Sequence, residues 1–194
     1  MRTTTELRNE ILAAARAEFA RYGLAGARID RIARTAQASK ERLYAHFTDK
    51  ETLYREVVAD DFARFFRAVT VHPEHVADFV GDIYDLARAQ PEHLRMVTWA
   101  QLEGFALDEP RAEDDQPIFG HAVAAIEAAQ VGGRVDRRWQ PVDLLVLLFG
   151  IGLAWAHSPH PDALTDDPAL IARHRAAAVE AATRIVAPAP DAAP

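Results

Sequence analysis

The sequence predicts an all-α fold in two parts. A small N-terminal head contains two short helices joined by a tight turn, and a larger helical body follows. Three observations carry this reading. Apolar residues recur at three- and four-residue spacing through most of the chain, and no window alternates as a strand would. Two short helical segments, 29–36 and 40–47, are separated by little more than Gln37 and Ala38. Pro91, Pro117 and Pro141 stand near the starts of periodic segments, where the missing amide costs nothing. The head is expected over 1–50, the body over 51–187, and a disordered alanine–proline tail over 188–194.

The elements follow in order. Leu7, Ile11, Leu12, Ala15, Phe19 and Tyr22 form one stripe of a first helix over 5–22, with Thr3 and Glu6 as a capping box and Gly23 as its stop. Ile29, Ile32 and Ala33 face inward from the second helix. Ser39 is placed to cap the third, which buries Leu43 and Phe47 at i, i+4. Asp49 caps the fourth, a long helix whose apolar stripe runs from Leu53 to Val69 before His72-Pro73 breaks it. The body is expected to hold helices at 73–89, 91–107, 116–130, 141–157 and 166–186, with loops at 108–116 and 158–168.

Composition narrows the possible functions. Cysteine is absent, which excludes disulfides, thiolate metal sites and cysteine nucleophiles. The longest apolar run, 144–156, is 13 residues, too short for the roughly 18 or more that a membrane span needs. No basic-then-apolar leader precedes it, and the expected setting is the cytoplasm, with no membrane partner. The net charge of −7 hides an asymmetry: residues 1–50 carry ten Lys or Arg against six Asp or Glu, and 51–194 carry twelve against twenty-three. A basic head on an acidic body would meet a polyanion head first.

The third helix concentrates that chemistry. Lys40, Glu41, Arg42, Tyr44 and His46 crowd seven residues, a density of polar groups that a core helix would not tolerate. Such a second helix after a tight turn is the layout of a helix-turn-helix reader of duplex DNA. Lys40 and Arg42 suit guanine edges or phosphates, and Glu41 suits cytosine or shapes the local potential. Tyr44, His46, Lys50 and Arg28 suit phosphate oxygens, with packing beneath the turn an equal alternative for His46.

Residues 5–58 resemble the N-terminal domain of the TetR (tetracycline-repressor-like) family of bacterial regulators. The resemblance rests on Ala14, Phe19, Gly23, Ile32-Ala33, Ala36, Ser39, Leu43-Tyr44-Ala45-His46-Phe47, Lys50-Glu51 and Leu53. It implies a DNA-binding transcriptional regulator, most often a repressor. Its partners would be a palindromic double-stranded operator and a small-molecule effector. Two departures stand out. Gly26-Ala27-Arg28 supplies no Ser or Thr cap to the second helix, and Gln37-Ala38 replaces the usual Gly-Val turn. A left-handed Gln37 would cost on the order of 1 kcal/mol.

The resemblance also implies a homodimer through the last two helices. Here these carry small residues, Gly150, Gly152, Ala154 and Ala156 on one and Ala169, Ala172, Ala176, Ala177 and Ala181 on the other. An intramolecular core is the alternative use of the same faces. An effector pocket is implied between the middle helices. Met96, Trp99, Glu103 and Leu107 share one stripe, in which Glu103 either meets a cationic or hydroxylated ligand or, as the commoner use of such a residue, makes a salt bridge or sits at a rim. Phe105 and Phe149, like Phe79, Phe119 and Trp155, are core or pocket wall. His72-x-x-His75 and His157-x-x-His160 lack an acidic partner at metal spacing, and no metal or other cofactor is expected. An enzyme is the rival class, but no phosphate loop, nucleophile elbow or zinc-protease motif is present. A helical ligand-binding or adaptor bundle with a degenerate head is the third class.

Overall fold

The structure, a computed structural model, describes residues 3–105 and 116–188. Leu107, most of the loop expected at 108–116 and the end of the tail lie outside the described residues. The helices are α1 (Thr4–Gly26), α2 (Ile29–Thr35), α3 (Lys40–His46), α4 (Lys50–Arg67), α5 (Asp78–Ala89), α6 (Pro91–Leu102), α7 (Ile118–Val131), α8 (Pro141–Leu153) and α9 (Pro168–Val186). A 3-10 turn, Pro161–Leu164, lies in the loop before α9. The chain divides into two compact units, residues 1–65 with 90–110 and residues 66–89 with 111–194. The first unit therefore contains α6 as well as the head.

In the first unit, α1 opens with the capping box. The Glu6 amide donates to Thr3 Oγ1 at 3.2 Å and the Thr3 amide to Glu6 Oε2 at 2.7 Å. These bonds hold the Glu6 carboxyl below its ordinary range. At Gly23 the backbone leaves the helix with φ 64°, and one further turn carries the chain to Gly26. Ser39 caps α3 by accepting from the Arg42 amide, and Asp49 caps α4 by accepting from the Thr52 amide at 2.7 Å. Leu7, Ile11, Phe19, Ile32, Leu43, Phe47, Leu53, Tyr54 and Met96 form one core, in which Phe19 meets Tyr54 edge-on at 4.9 Å.

Expected boundaries shift where the backbone makes terminal bonds. The helix expected to reach residue 107 ends at Leu102, because Gly104 takes φ 71°. The Phe105 amide then bonds back to the Ala100 carbonyl at 2.8 Å and that of Gly104 to Gln101 at 3.2 Å, a Schellman ending. The same ending closes α2, where the Ala38 amide bonds to Ala33 at 2.9 Å and that of Gln37 to Arg34 at 3.1 Å. Here the left-handed residue is Gln37, at φ 50°.

In the second unit α5 starts at Asp78 rather than at 73, since residues 73–77 form successive turns. α5 packs on α8 and α9, and α8 packs on α7. Val80, Ile83, Ile126, Ala129, Leu144, Leu148 and Ala182 fill the centre. α8 ends at Leu153, short of 157, and relaxes into a turn. The connection before α8 is fastened to the end of α9. The Asp136 amide donates to Val186 at 2.9 Å, and Trp139 Nε1 donates to Ile185 at 3.1 Å.

Gln37→Gly removes the left-handed penalty at the α2 turn without breaking a backbone bond. It is expected to raise the unfolding free energy by up to about 1 kcal/mol in a urea melt.

Candidate nucleic-acid interface and the cavity of the second unit

The reading helix owes its orientation to two side chains. Leu43 and Phe47 are fully buried beneath α3, and Ile32 and Ala33 are buried beneath α2. With that face committed, Lys40, Glu41, Arg42, Tyr44 and Ala45 are turned to solvent. The backbone and Ser39 bonds hold the Glu41 carboxyl below its usual range, so it is an acceptor at neutral pH. Arg42 and Tyr44 engage no other group among the described residues, and Tyr44 is 47% exposed. Lys40 forms an exposed ion pair with Asp30 of α2.

The phosphate candidates divide. Arg28 is exposed, with its amide held by Glu18 Oε1 at 2.9 Å, and the second helix has no side-chain cap. The same oxygen accepts from Arg31 Nε at 2.7 Å, and the Arg31 guanidinium lies 4.3 Å over the Tyr22 ring. His46 is half-buried, with its ring 6.2 Å from that of Phe47. Lys50 does not extend freely. Its ammonium donates to the Ala27 carbonyl at 3.2 Å and the Ala25 carbonyl at 3.5 Å, clamping α4 to the end of α1. Arg34, overlooked in the sequence, is a further exposed cation on α2 and engages no other group among the described residues.

The ligand candidates separate too. The Glu103 carboxylate accepts from the Leu24 and Ala25 amides, each at 3.1 Å, and caps the last turn of α1. Trp99 packs where a Gly23 side chain would be. A Cβ there would lie 2.7 Å from Trp99 Cε3, so Gly23 serves both the turn and the contact. Phe105 stands edge-on to Tyr54 at 5.0 Å. Burial, then the Glu103 charge, pushes the Tyr54 phenol well above its ordinary range. Phe149 lines a cavity of about 280 Å³ in the second unit. Its walls are phenylalanine: Phe66 meets Phe119 at 4.8 Å and Phe149 at 5.2 Å, and Phe79 meets Phe149 at 5.2 Å. Arg67, Thr70 and His121 add the polar groups.

One buried cluster in the first unit escaped the sequence reading. Asp61 forms an ion pair with Arg16, at 3.0 Å from Nε, and a hydrogen bond with His93 Nδ1 at 2.6 Å, joining α1, α4 and α6. The Phe65 ring stacks on His93 at 3.9 Å. The signal was available: Asp61 falls on the apolar stripe of Val57 and Phe65, where a carboxylate needs partners.

This arrangement, two short helices packed on a buried apolar face with cations on the opposite side, defines a helix-turn-helix regulator. Residues 11–57 match the model for bacterial regulatory proteins of the tetR family, and residues 63–184 match a tetracyclin repressor-like C-terminal domain. The chain belongs to the TetR family of transcriptional regulators. It is 35% identical to the HTH-type transcriptional repressor SCO4008 of Streptomyces coelicolor, over 75% of this chain and 76% of that protein. It is 36% identical to the HTH-type transcriptional repressor AcnR of Corynebacterium glutamicum, over 73% of this chain and 74% of that one. A crystal structure of SCO4942 from Streptomyces coelicolor superposes with a TM-score of 0.78 at 36% identity, covering 92% of this chain and 97% of that one.

Glu103→Ala strips two charge-assisted bonds from the turn after Gly23. The expected loss is about 2 kcal/mol in chemical denaturation, with Glu103→Gln recovering part of it.

Proposed function

We propose that this chain is a homodimeric repressor that holds an operator through α3 and releases it when a small molecule enters the phenylalanine-lined cavity. The observation that carries the DNA contact is the exposed, uncommitted Arg42 guanidinium on a helix anchored from behind by Leu43 and Phe47. Arg42 and Lys40 read base edges, with Glu41 tuning the contact. Tyr44, Arg28 and His46 bind phosphate, and Lys50 supports the interface mainly by bracing α1. The relatives named as repressors support the sign of regulation.

The DNA-binding domain proper is residues 1–50, and residues 51–187 serve effector binding and dimerisation. One short reading helix contacts too little DNA for a specific site, and a two-fold pair solves this by reading half-sites a helical turn or a multiple apart. The exposed row Val142, Val146 and Leu147 on α8 supports that pairing, as does open space beside Gly150. α9 adds the exposed small residues Ala169, Ala172, Ala176 and Ala177. No described helix is long and apolar enough to cross a membrane; the protein acts in the cytoplasm. α4 is one continuous helix from Lys50 to Arg67, and its last residues, Phe66 and Arg67, line the cavity. An effector that prefers one seating of that end biases the helix and, through it, the head.

Fluorescence anisotropy on DNA from the protein's own upstream region tests the reading. Specific binding should weaken steeply with salt as counterions return to phosphate. Arg42→Ala should lose about 1–3 kcal/mol and relax one base position. Salt-insensitive binding, or none, would sink the proposal.

Val146→Asp with Leu147→Glu should convert the dimer to monomer in sedimentation and abolish operator binding. An unchanged dimer would remove α8 as its seam.

A further inference from the structure

We infer that the cavity of the second unit takes a flat, two-ring aromatic anion, with its rings among the phenylalanines and its negative group at Arg67. This inference rests on the reading that the cavity receives the effector, and it adds the chemical class. The space, about 280 Å³, is close to twice the roughly 150 Å³ cavity that accepts benzene. That favours a fused pair of rings over a single one. Phe66, Phe79, Phe119 and Phe149 meet one another edge to face, at interplanar angles of 61–88°. Both ring faces and ring edges therefore line the space, and a planar π-system can satisfy them together. Val69, Val71, Ile118 and Ala122 complete an apolar wall that gives a flexible polar ligand nothing to bond.

Charge decides the rest. Arg67, at the last turn of α4, lines the cavity and forms no hydrogen bond or ion pair among the described residues. Its guanidinium presents the fork that a carboxylate or sulfonate fills bidentately. Thr70 and His121 are the other polar residues of the described lining. No Asp or Glu occurs among the described lining residues, and the Arg67 charge opposes a cationic ligand. The carboxylate that the sequence offered for a cation, Glu103, is committed to the Leu24 and Ala25 amides in the first unit.

The test is calorimetric titration of the full chain with three probes of one shape: 2-naphthoate, 2-naphthol and 2-naphthylmethylammonium. Naphthoate should bind about tenfold tighter than naphthol, as expected for a charge-assisted bond, and the ammonium compound should bind weakest. Arg67→Gln, at an exposed position, should erase the preference for naphthoate and leave naphthol affinity within about twofold. Phe149→Ala should weaken all three alike. Equal or tighter binding of the ammonium compound overturns the inference, as does a naphthoate preference that survives Arg67→Gln, or no binding by any probe. Operator binding, measured in parallel, separates this from the regulatory reading. Naphthoate bound through Arg67 without loss of operator affinity would leave the ligand class standing and remove effector control. Release by a neutral or cationic compound without a naphthoate preference would do the reverse.

Discussion

A seven-residue helix does not hold its shape in water by itself, because nucleating one turn costs more than so few bonds return. α3 exists because Leu43 and Phe47 are buried beneath it, at roughly 1.5–3 kcal/mol each. The Ser39 cap and the closed turn at Gln37 orient it further. Everything on its outer face follows from that anchoring. Lys40, Arg42 and Tyr44 are exposed because the opposite side is spent on the core. Had the anchor been polar, the same cations would sit on a disordered loop, and each contact with DNA would carry an ordering cost.

Around this anchor the first unit is fastened by carboxylates. Glu18 holds the start of α2, Glu103 caps the turn after Gly23, and Asp61 gathers Arg16 and His93. The last of these is buried, so its charges have lost water and depend on one another. Removing one partner from such a cluster costs about 3–5 kcal/mol, far more than a surface pair would. α6 is thereby tied to α1 and α4 by ionic as well as apolar contacts, which explains why it belongs to the same compact unit as the head.

Much of this was legible in the sequence, and the reason is local. Capping at Thr3, Ser39 and Asp49 depends on residues three apart, and the stripes of α1 and α4 depend on spacing within one helix. The left-handed Gln37 could be anticipated because it stands where the resembled family usually has the turn glycine. The end of α6 was misplaced although Gly104 marks it, because Leu107 extended the apolar stripe past the glycine. The partners of Glu103 and Lys50 were not legible at all. They lie 78 or 79 residues away for one and 23 or 25 for the other, and no spacing rule links a side chain to a backbone amide or carbonyl at such range. Which of the phenylalanines read as core or pocket wall would line a cavity was not legible for the same reason, since Phe66, Phe79, Phe119 and Phe149 come from four separate helices.

The pairing of Lys40 with Asp30 has a bearing on how such a molecule finds its target. A chromosome offers on the order of a million or more decoy sites for every true one, and bare cations adhere to all of them. A lysine neutralised by its neighbour, on a chain whose remainder carries the surplus of negative charge, adheres less to arbitrary sequence. Fewer copies are then sequestered along the genome, and more remain free to scan. On the proposed reading, in which Lys40 meets base edges, the residence lengthens only at a site that repays the exchange of Asp30 for a nucleotide.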